Sequence, residues 1–195
     1  MVDLPLTPEL VMTGYRVGLF PMADTDGTIA WFSPDPRCII PLDAFHTPRT
    51  VRQLVRRAVF EIRFNTAFEA VIAACSDRAE GTWISYDVRR VYTALFRQCA
   101  AHSVECWRGG QLAGGLYGVA LGGAFFGESM FTRVSGASKV ALVALVDRLR
   151  ARGFTLLDIQ WQTTHLARFG ALEIPRTTYL RRLRAALARP CRFLA

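Results

Sequence analysis

Apolar residues recur at helical spacing in several short segments of the first half of the chain. Thr7, Pro8 and Glu9 predict a helix start, because Thr caps a helix well, Pro suits the first helical position and an acid is favoured at the positive end. The segment 21–41 is rich in Pro, Gly and Asp, which predicts mostly loop. Further predicted elements are a helix over 48–58, a strand over 60–64, a helix from a capping box at 66–69 to about 75, and a helix capped by Ser85.

The centre of the chain changes to the alternating spacing of β-strands. Three strands are predicted, joined by two-residue Gly-Gly turns. A helix should follow and end at Gly153, since glycine suits the left-handed position after a helix. In order, the predicted elements are strands over 103–108, 111–120 and 124–131, a helix over 137–152, a strand over 154–161, a short helix ending near Gly170 and an arginine-rich helix from Thr177. This order predicts an α+β fold.

The same order is typical of acyltransferases with an acetyltransferase-like (GNAT-type) fold, which bind the pyrophosphate of acyl-CoA between the central strands and the next helix. Residues 133–138 lie at the corresponding junction, where backbone N–H groups at a helix N-terminus can bind an anion. An ordinary turn between strand and helix explains this short pattern as well. An acyl-CoA-dependent N-acetyltransferase is therefore one open function.

A strong positive charge adds to this picture. The 195 residues carry a formal net charge of +8, and Lys139 is the only lysine. Because the arginine side chain suits phosphate, this charge favours nucleic acid or an anionic cofactor as a partner, although a genomic codon preference for arginine is an alternative explanation. On the predicted helix, Arg49, Arg52 and Arg56 fall on one face with Arg57 beside them and no acid between them. This arginine stripe predicts a phosphate-binding surface, with a solvated outer face as the alternative.

Sequence features of secreted, membrane and metal-binding proteins are missing. The five cysteines form no C-x-x-C pair, which disfavours a disulfide framework or a zinc site and fits a reducing cytosol. No apolar run approaches the ~20 residues that span a bilayer, and the start does not resemble a signal peptide. His46, His102 and His165 lack the spacing of metal ligands. We therefore expect a compact cytoplasmic protein that binds no metal and no membrane. We also expect it to be a monomer.

Two acids lie within predicted apolar strands. Because burying an unpaired charge is costly, Glu128 and Asp158 each need a partner or a task. Alternation along a strand puts Glu128 on one face with Phe126 and Met130, and it puts Asp158 on one face with Gln160. Two acids on neighbouring central strands can bind a cationic group or assist proton transfer. Structural pairing with a core arginine is the alternative for each.

Several short motifs occur in a characteristic order. They are Trp31-Phe32-Ser33-Pro34-Asp35-Pro36-Arg37, Glu80-Gly81-Thr82-Trp83-Ile84, Ala101-His102-Ser103-Val104-Glu105, Gly114-Gly115-Leu116-Tyr117-Gly118-Val119, Gly127-Glu128-Ser129-Met130-Phe131, Ala137-Ser138-Lys139 and Gly170-Ala171-Leu172-Glu173-Ile174-Pro175-Arg176. Together they closely resemble the bacterial leucyl/phenylalanyl-tRNA–protein transferase family, from about Leu6 to the C-terminus.

The resemblance implies a reaction and an organisation. Leucine or phenylalanine would move from the 3′ end of its tRNA to the α-amine of proteins with N-terminal Arg or Lys, which marks them for N-degron proteolysis. It implies no cofactor, a short N-terminal lobe of helix and loop at 1–36, and an acetyltransferase-like catalytic domain at 37–195. A non-catalytic RNA-binding module is the third open function, because it would share the basic surface.

The resemblance also implies roles for single residues. Asp158 would orient or deprotonate the attacking amine with Gln160 bridging, and Glu128 would help to hold the cationic N-terminal residue. An apolar pocket would admit Leu and Phe, whose branching begins beyond Cβ, and exclude Val and Ile. That pocket corresponds to Leu116, Phe125, Met130, Leu145, Leu149 and Leu157, for each of which ordinary core packing is the alternative.

Contacts to tRNA are implied in two places. Trp83 and Tyr92 correspond to aromatic positions near the terminal adenosine, where stacking on a base contributes about 1–3 kcal/mol. The arginine stripe falls where the family has a basic patch for the tRNA backbone. Met22 stands where an aromatic residue is common in the family, so one stacking contact is not expected here.

Overall fold

The computed structural model of the protein describes residues 5–24, 26–79 and 81–194. Glu80, which opens one of the sequence motifs, lies outside the described residues. The helices are α1 (Pro8–Arg16), α2 (Arg49–Arg56), α3 (Phe68–Ser76), α4 (Tyr86–Arg97), α5 (Ala137–Ala151), α6 (Thr164–Ala167) and α7 (Arg176–Leu187). The strands are β1 (Phe20–Ala23), β2 (Ile29–Phe32), β3 (Arg37–Ile40), β4 (Glu61–Phe64), β5 (Ala101–Arg108), β6 (Gln111–Leu121), β7 (Ala124–Thr132), β8 (Leu156–Gln160) and β9 (Leu172–Ile174).

Seven of the strands form a central mixed sheet in the order β4-β5-β6-β7-β8-β3-β9, and β1 pairs with β2 separately. The pairs in the central sheet are antiparallel except β7 with β8, which are parallel. Helix α5 connects these two parallel strands, because parallel neighbours need a crossover. The predicted α+β class is confirmed.

The central sheet separates two apolar cores. Adjacent strand residues project to opposite faces, so Phe126 packs in one core and Phe125 in the other. The first core takes residues from α1, α3, α4 and α7, including Tyr15. The second core is built largely from α5, including Leu145. In the described parts of the chain, no helix is both long and apolar enough to cross a membrane.

Two of the three predicted helix caps are confirmed. The Thr7 hydroxyl accepts a hydrogen bond from the Leu10 N–H (3.2 Å), and Ser85 caps α4 in the same way. The capping box predicted at 66–69 is wrong, since the Thr66 hydroxyl and N–H both bind the carboxylate of Glu105. A carboxylate supplied by strand β5 therefore replaces the local cap.

The prediction of mostly loop over 21–41 is also wrong, because β1, β2 and β3 lie largely within it. These strands have four residues each, which is too short for a clear alternation among Pro, Gly and Asp. Strand β3 is buried throughout, since it inserts between β8 and β9. Its strand character depends on partners that are distant in sequence.

A β-bulge at Glu128 shifts the register of β7. Tyr117 lies opposite Ser129 while the next residue, Gly118, lies opposite Gly127, so Glu128 is the extra residue. The bulge corrects the predicted face, because Met130 packs with the second core rather than sharing a face with Phe126.

A second irregularity lies in β8, where Cys38 faces Gln160 and Ile39 faces Asp158, leaving Ile159 unmatched. Gln160 adopts a left-handed backbone (φ 60°). Pairing of β7 with β8 ends at Phe126, although β7 continues to Thr132. The two parallel strands therefore separate beyond this point and leave a gap in the sheet.

The two glycines that face each other beside the bulge differ in the space around them. A Cβ on Gly118 would collide with the Phe126 carbonyl and the Phe125 ring, whereas one on Gly127 would meet nothing closer than 3.6 Å. Gly118→Ala should therefore lower the free energy of unfolding by about 1–3 kcal/mol. The matched control Gly127→Ala should change it little. Urea unfolding of both variants measures the difference, and equal losses would contradict this account of the bulge.

Candidate active site

A cavity of about 520 Å³ opens where β7 and β8 separate. Its floor is apolar, and Glu128 and Gln160 supply polar groups on its wall. Aromatic side chains lie at the rim, where the Phe20 and Trp161 rings meet edge to face at 5.0 Å between centroids. The floor consists of Leu116, Met130, Leu142, Leu145 and Leu157, and the rim includes Phe20, Met22, Trp83 and Trp161.

Four of the six residues predicted for the amino-acid pocket line this cavity, namely Leu116, Met130, Leu145 and Leu157. The structure does not bring Phe125 or Leu149 to it, because both are fully buried in the second core. Leu142 was missed, although it precedes Leu145 by three residues and so shares its helix face. The bulge at Glu128 is what turns Met130 toward this floor.

Asp158 is buried in a bidentate ion pair with Arg37. The Arg37 Nε lies 2.9 Å from Asp158 Oδ1 and its Nη2 lies 2.6 Å from Oδ2. The guanidinium also donates to the Gly18 carbonyl and lies 4.6 Å from the ring centroids of both Phe20 and Tyr179. Asp158 is therefore paired with a buried arginine, which was the structural alternative predicted for this acid. Arg37 lies in one of the sequence motifs, but the sequence alone predicted no role for it.

The carboxylate of Asp158 has no free acceptor position. Besides the two bonds from Arg37, it accepts the Tyr179 hydroxyl (2.7 Å) and the backbone N–H of Gln160 (3.0 Å). A carboxylate offers about four acceptor sites, so all of them are in use. Asp158 is also fully buried and does not line the cavity. The geometry thus corrects the expectation that Asp158 deprotonates the amine, and it leaves Asp158 to position Gln160.

Glu128 has the opposite environment, since it lines the cavity without a cationic partner at hydrogen-bond distance. Tyr15 donates to its Oε1 at 2.6 Å, and Tyr92 and Gln160 lie at 3.3 and 3.4 Å from its oxygens. Burial raises the pKa of Glu128 from 4.5 to about 7, the Tyr15 hydrogen bond opposes this shift, and the charge of Asp158 adds to it. The carboxyl can therefore gain or lose a proton near neutral pH.

Tyr92 is not placed to stack on a base, which corrects the role expected for it. Its side chain is fully buried, and its hydroxyl lies 2.6 Å from that of Tyr15. Since each hydroxyl has one proton, Tyr92 can donate to Tyr15 while Tyr15 donates to Glu128. Trp83 does lie at the cavity rim, half-buried, and remains a candidate for stacking. Trp161, 42% exposed at the same rim, was missed.

The arginine stripe lies on α2 and its C-terminal cap. Arg49, Arg52, Arg56 and Arg57 are all exposed. Within 5–24, 26–79 and 81–194, no acid forms an ion pair with any of the four. The surface charge of this helix is therefore available to a polyanion.

Comparison with known proteins bears on what this site does. A family model described as leucyl/phenylalanyl-tRNA protein transferase matches residues 39–184, and the model of the N-terminal domain of these transferases matches residues 5–35. The chain belongs to this family. The family predicted from the ordered motifs is thus confirmed.

Individual members of the leucyl/phenylalanyl-tRNA protein transferase family match along nearly the whole chain. A leucyl/phenylalanyl-tRNA–protein transferase of Gloeobacter violaceus is 54% identical and covers 96% of this chain and 97% of its own. Another, of Salinibacter ruber, is 57% identical over 93% of this chain and 80% of its own. Among solved structures, L-PGS from Bacillus licheniformis is 12% identical with a TM-score of 0.43, covering 76% of this chain and 51% of that one. The acetyltransferase-like subtype of the fold stays a prediction.

The Arg37–Asp158 pair gives a test that separates structure from chemistry. Asp158→Asn should lower the free energy of unfolding by about 3–5 kcal/mol, because it leaves Arg37 as a buried charge without a partner. Chemical denaturation measures this loss. The double variant Arg37→Met/Asp158→Asn removes that charge and should recover part of the stability. Unchanged stability together with a large loss of transfer would contradict a positioning role for Asp158.

Proposed function

We propose that this transferase moves leucine or phenylalanine from aminoacyl-tRNA to the α-amine of proteins that begin with Arg or Lys, marking them for N-degron proteolysis. The observation that carries the proposal is the cavity itself, which combines an apolar floor with one acid, Glu128, on its wall. Membership of an aminoacyltransferase family supplies the reaction class. The apolar floor suits the amino acid that is transferred, and the acid suits a cationic acceptor.

The cavity floor supports selection of the amino acid by shape. Leu142, Leu145 and Leu157 offer apolar surface without a hydrogen-bonding group. Leucine and phenylalanine are narrow at Cβ and can extend into such a floor, whereas Val and Ile carry bulk at Cβ. Burying a Leu or Phe side chain contributes about 1.5–3 kcal/mol to binding. An amino acid whose shape prevents this burial loses that contribution, which is enough to discriminate against Val and Ile.

The reaction needs positioning more than activation. The acceptor nitrogen attacks the ester carbonyl carbon, a C–N bond forms, the C–O bond to the ribose breaks, and the ribose oxygen takes up the proton that the amine releases. Alignment of the two reactants can supply roughly 7–11 kcal/mol of the barrier. The acceptor arrives largely as an ammonium group. Glu128 would bind this positive charge and take the first proton before attack, and the second N–H proton would pass to the ribose oxygen as the ester bond breaks. Gln160 would orient the amine, and Asp158 would fix Gln160 through its N–H.

We further propose an acetyltransferase-like catalytic domain at 37–195 with a short lobe at 1–36, in a monomeric cytoplasmic enzyme that needs no cofactor. The arrangement of β7, β8 and α5 supports the catalytic domain. Parallel β7 and β8 separate around the site, and α5 follows β7. An acyl-CoA donor is less well supported, because the first N–H groups of α5 are already used. The Ala137 N–H binds the Val134 carbonyl (3.0 Å) and the Ser138 N–H binds Thr132 Oγ1 (3.2 Å). A mere RNA-binding module would retain tRNA but leave its ester intact.

The acceptor assignment is tested by varying the first residue of a peptide. Labelled leucine from leucyl-tRNA should pass to peptides that begin with Arg or Lys and not to those that begin with Asp or Glu, because Glu128 is negative when ionised. The kcat/KM for the acceptor should rise with pH through about 7, where Glu128 loses its proton. Equal labelling of acidic and basic peptides would contradict the assignment.

Glu128→Gln is the matched control for that pH profile. The variant keeps the size of the side chain but cannot ionise, so the rise near pH 7 should disappear. The acceptor amine itself titrates near about 8 and should still produce its own rise.

The arginine stripe predicts a loss specific to tRNA. Arg49→Ala, Arg52→Ala, Arg56→Ala and Arg57→Ala should each weaken binding of leucyl-tRNA. Each should lower the slope of log K against log salt by about one, as for a lost phosphate contact. Filter binding over a salt series measures the slope, and thermal melts should stay close to that of the parent protein because these side chains are exposed. Collapsed melts with an unchanged slope would make the stripe structural.

A further inference from the structure

A second, polar cleft adjoins the active-site cavity. It has a volume of about 430 Å³ and lies between the end of β7, the first turn of α5, and α6. His165 lines both the cleft and the cavity, so the two lie next to each other on either side of that residue. The lining consists of Thr132, Ser138, Lys139, Thr164, His165 and Arg168.

The charge of this cleft is positive and uncompensated. Lys139, the only lysine of the chain, and Arg168 both line it, and no acid does. In the described portion of the chain, neither cation takes part in an ion pair. Such a site favours an anion.

His165 adds a polar atom without a partner. Its Nε2 is buried and makes no hydrogen bond within the described residues. Burial lowers the pKa of His165, and the neighbouring charges of Lys139 and Arg168 lower it further, so the ring is neutral at physiological pH. The unpartnered ring nitrogen of a neutral histidine can donate or accept one hydrogen bond.

The cleft lies near helix α2, which carries the arginine stripe. The Leu54 side chain of α2 packs against Gly136, three residues before Lys139. The segment leading into α2 joins the other wall, since the His46 N–H binds the Phe169 carbonyl (3.1 Å), next to Arg168. The cavity, the cleft and the helix that carries the stripe are therefore successive neighbours across the surface.

We propose that this cleft binds a backbone phosphodiester at the 3′ end of the aminoacyl-tRNA, with Lys139 and Arg168 as its cationic contacts. This rests on the proposed function, because an ester placed in the cavity requires the attached nucleotide strand to leave it. The strand is anionic at every nucleotide, and the cleft is a cationic surface next to the cavity. Lys139 and Arg168 thus bind the donor strand and take no part in the chemistry.

Two donors that differ in phosphate test this assignment. One is leucyl-tRNA, and the other is leucyl-adenosine, which carries the same ester and base but no phosphate. With leucyl-tRNA, Lys139→Ala and Arg168→Ala should each lower kcat/KM by about tenfold, the scale of a lost hydrogen bond to a charged group. With leucyl-adenosine this loss should be absent. The exposed Arg182 on α7 lies outside the cleft, so Arg182→Ala should leave both donors unaffected.

Equal losses with both donors would overturn the proposal, because the residues would then support the cavity or the fold. Full activity of both variants with leucyl-tRNA would also overturn it. If the parent protein uses neither donor, the proposed function fails instead. The affinity for tRNA, measured over a salt series, then still tests whether the cleft binds a phosphodiester. Each variant must lower the slope of log K against log salt by about one.

Discussion

The buried ion pair between Arg37 and Asp158 is the interaction on which the rest of the structure depends. It joins the neighbouring strands β3 and β8, and the same guanidinium binds the Gly18 carbonyl and packs on the Tyr179 ring. Two buried charges tolerate little movement, because separating them leaves each without compensation. The pair therefore fixes the N-terminal segment, two strands and the last helix relative to one another. It also holds the backbone of Gln160, and through it one wall of the cavity.

The cavity forms because the pairing between β7 and β8 stops before β7 ends. Beyond Phe126, β7 and β8 no longer pair, and each strand carries an irregularity at that point. The bulge in β7 turns Glu128 toward the cavity and Met130 toward its apolar floor. Without the extra residue, simple alternation would have kept those two side chains on one face. A local break in the ladder thus gives the site an acidic wall and an apolar floor within one strand.

The cavity is lined by one carboxylate, that of Glu128, and also by the cation Arg78, which donates to the Ser129 hydroxyl (2.8 Å). Glu128 lies in the cavity and is held by tyrosine hydroxyls, whereas the cations of α2 and of the cleft lie at the surface. This separation suits a reaction between a polyanionic donor and a cationic acceptor. Under the proposed function, the donor strand would meet the positive charge at the surface, and the acceptor amine would meet the carboxylate of Glu128 in the cavity. Low polarity inside the cavity strengthens the attraction between opposite charges, so the single carboxylate of Glu128 is sufficient to attract a cation there.

The sequence by itself determined the family, the α+β class, the central helices and strands, and the residue types of the site, because these follow from local periodicity and from ordered motifs. Leu116, Leu145 and Leu157, which the motifs assigned to an amino-acid pocket, do line one cavity. Only the tertiary structure decided that the Asp158 carboxylate is paired with Arg37 and that Tyr92 is buried beneath Glu128. Ion pairs between residues more than a hundred positions apart, short strands that form only when inserted in a sheet, and bulges that reverse a face leave no periodic signal in the chain. Partners distant in sequence impose them, so they exist only once the sheet has assembled.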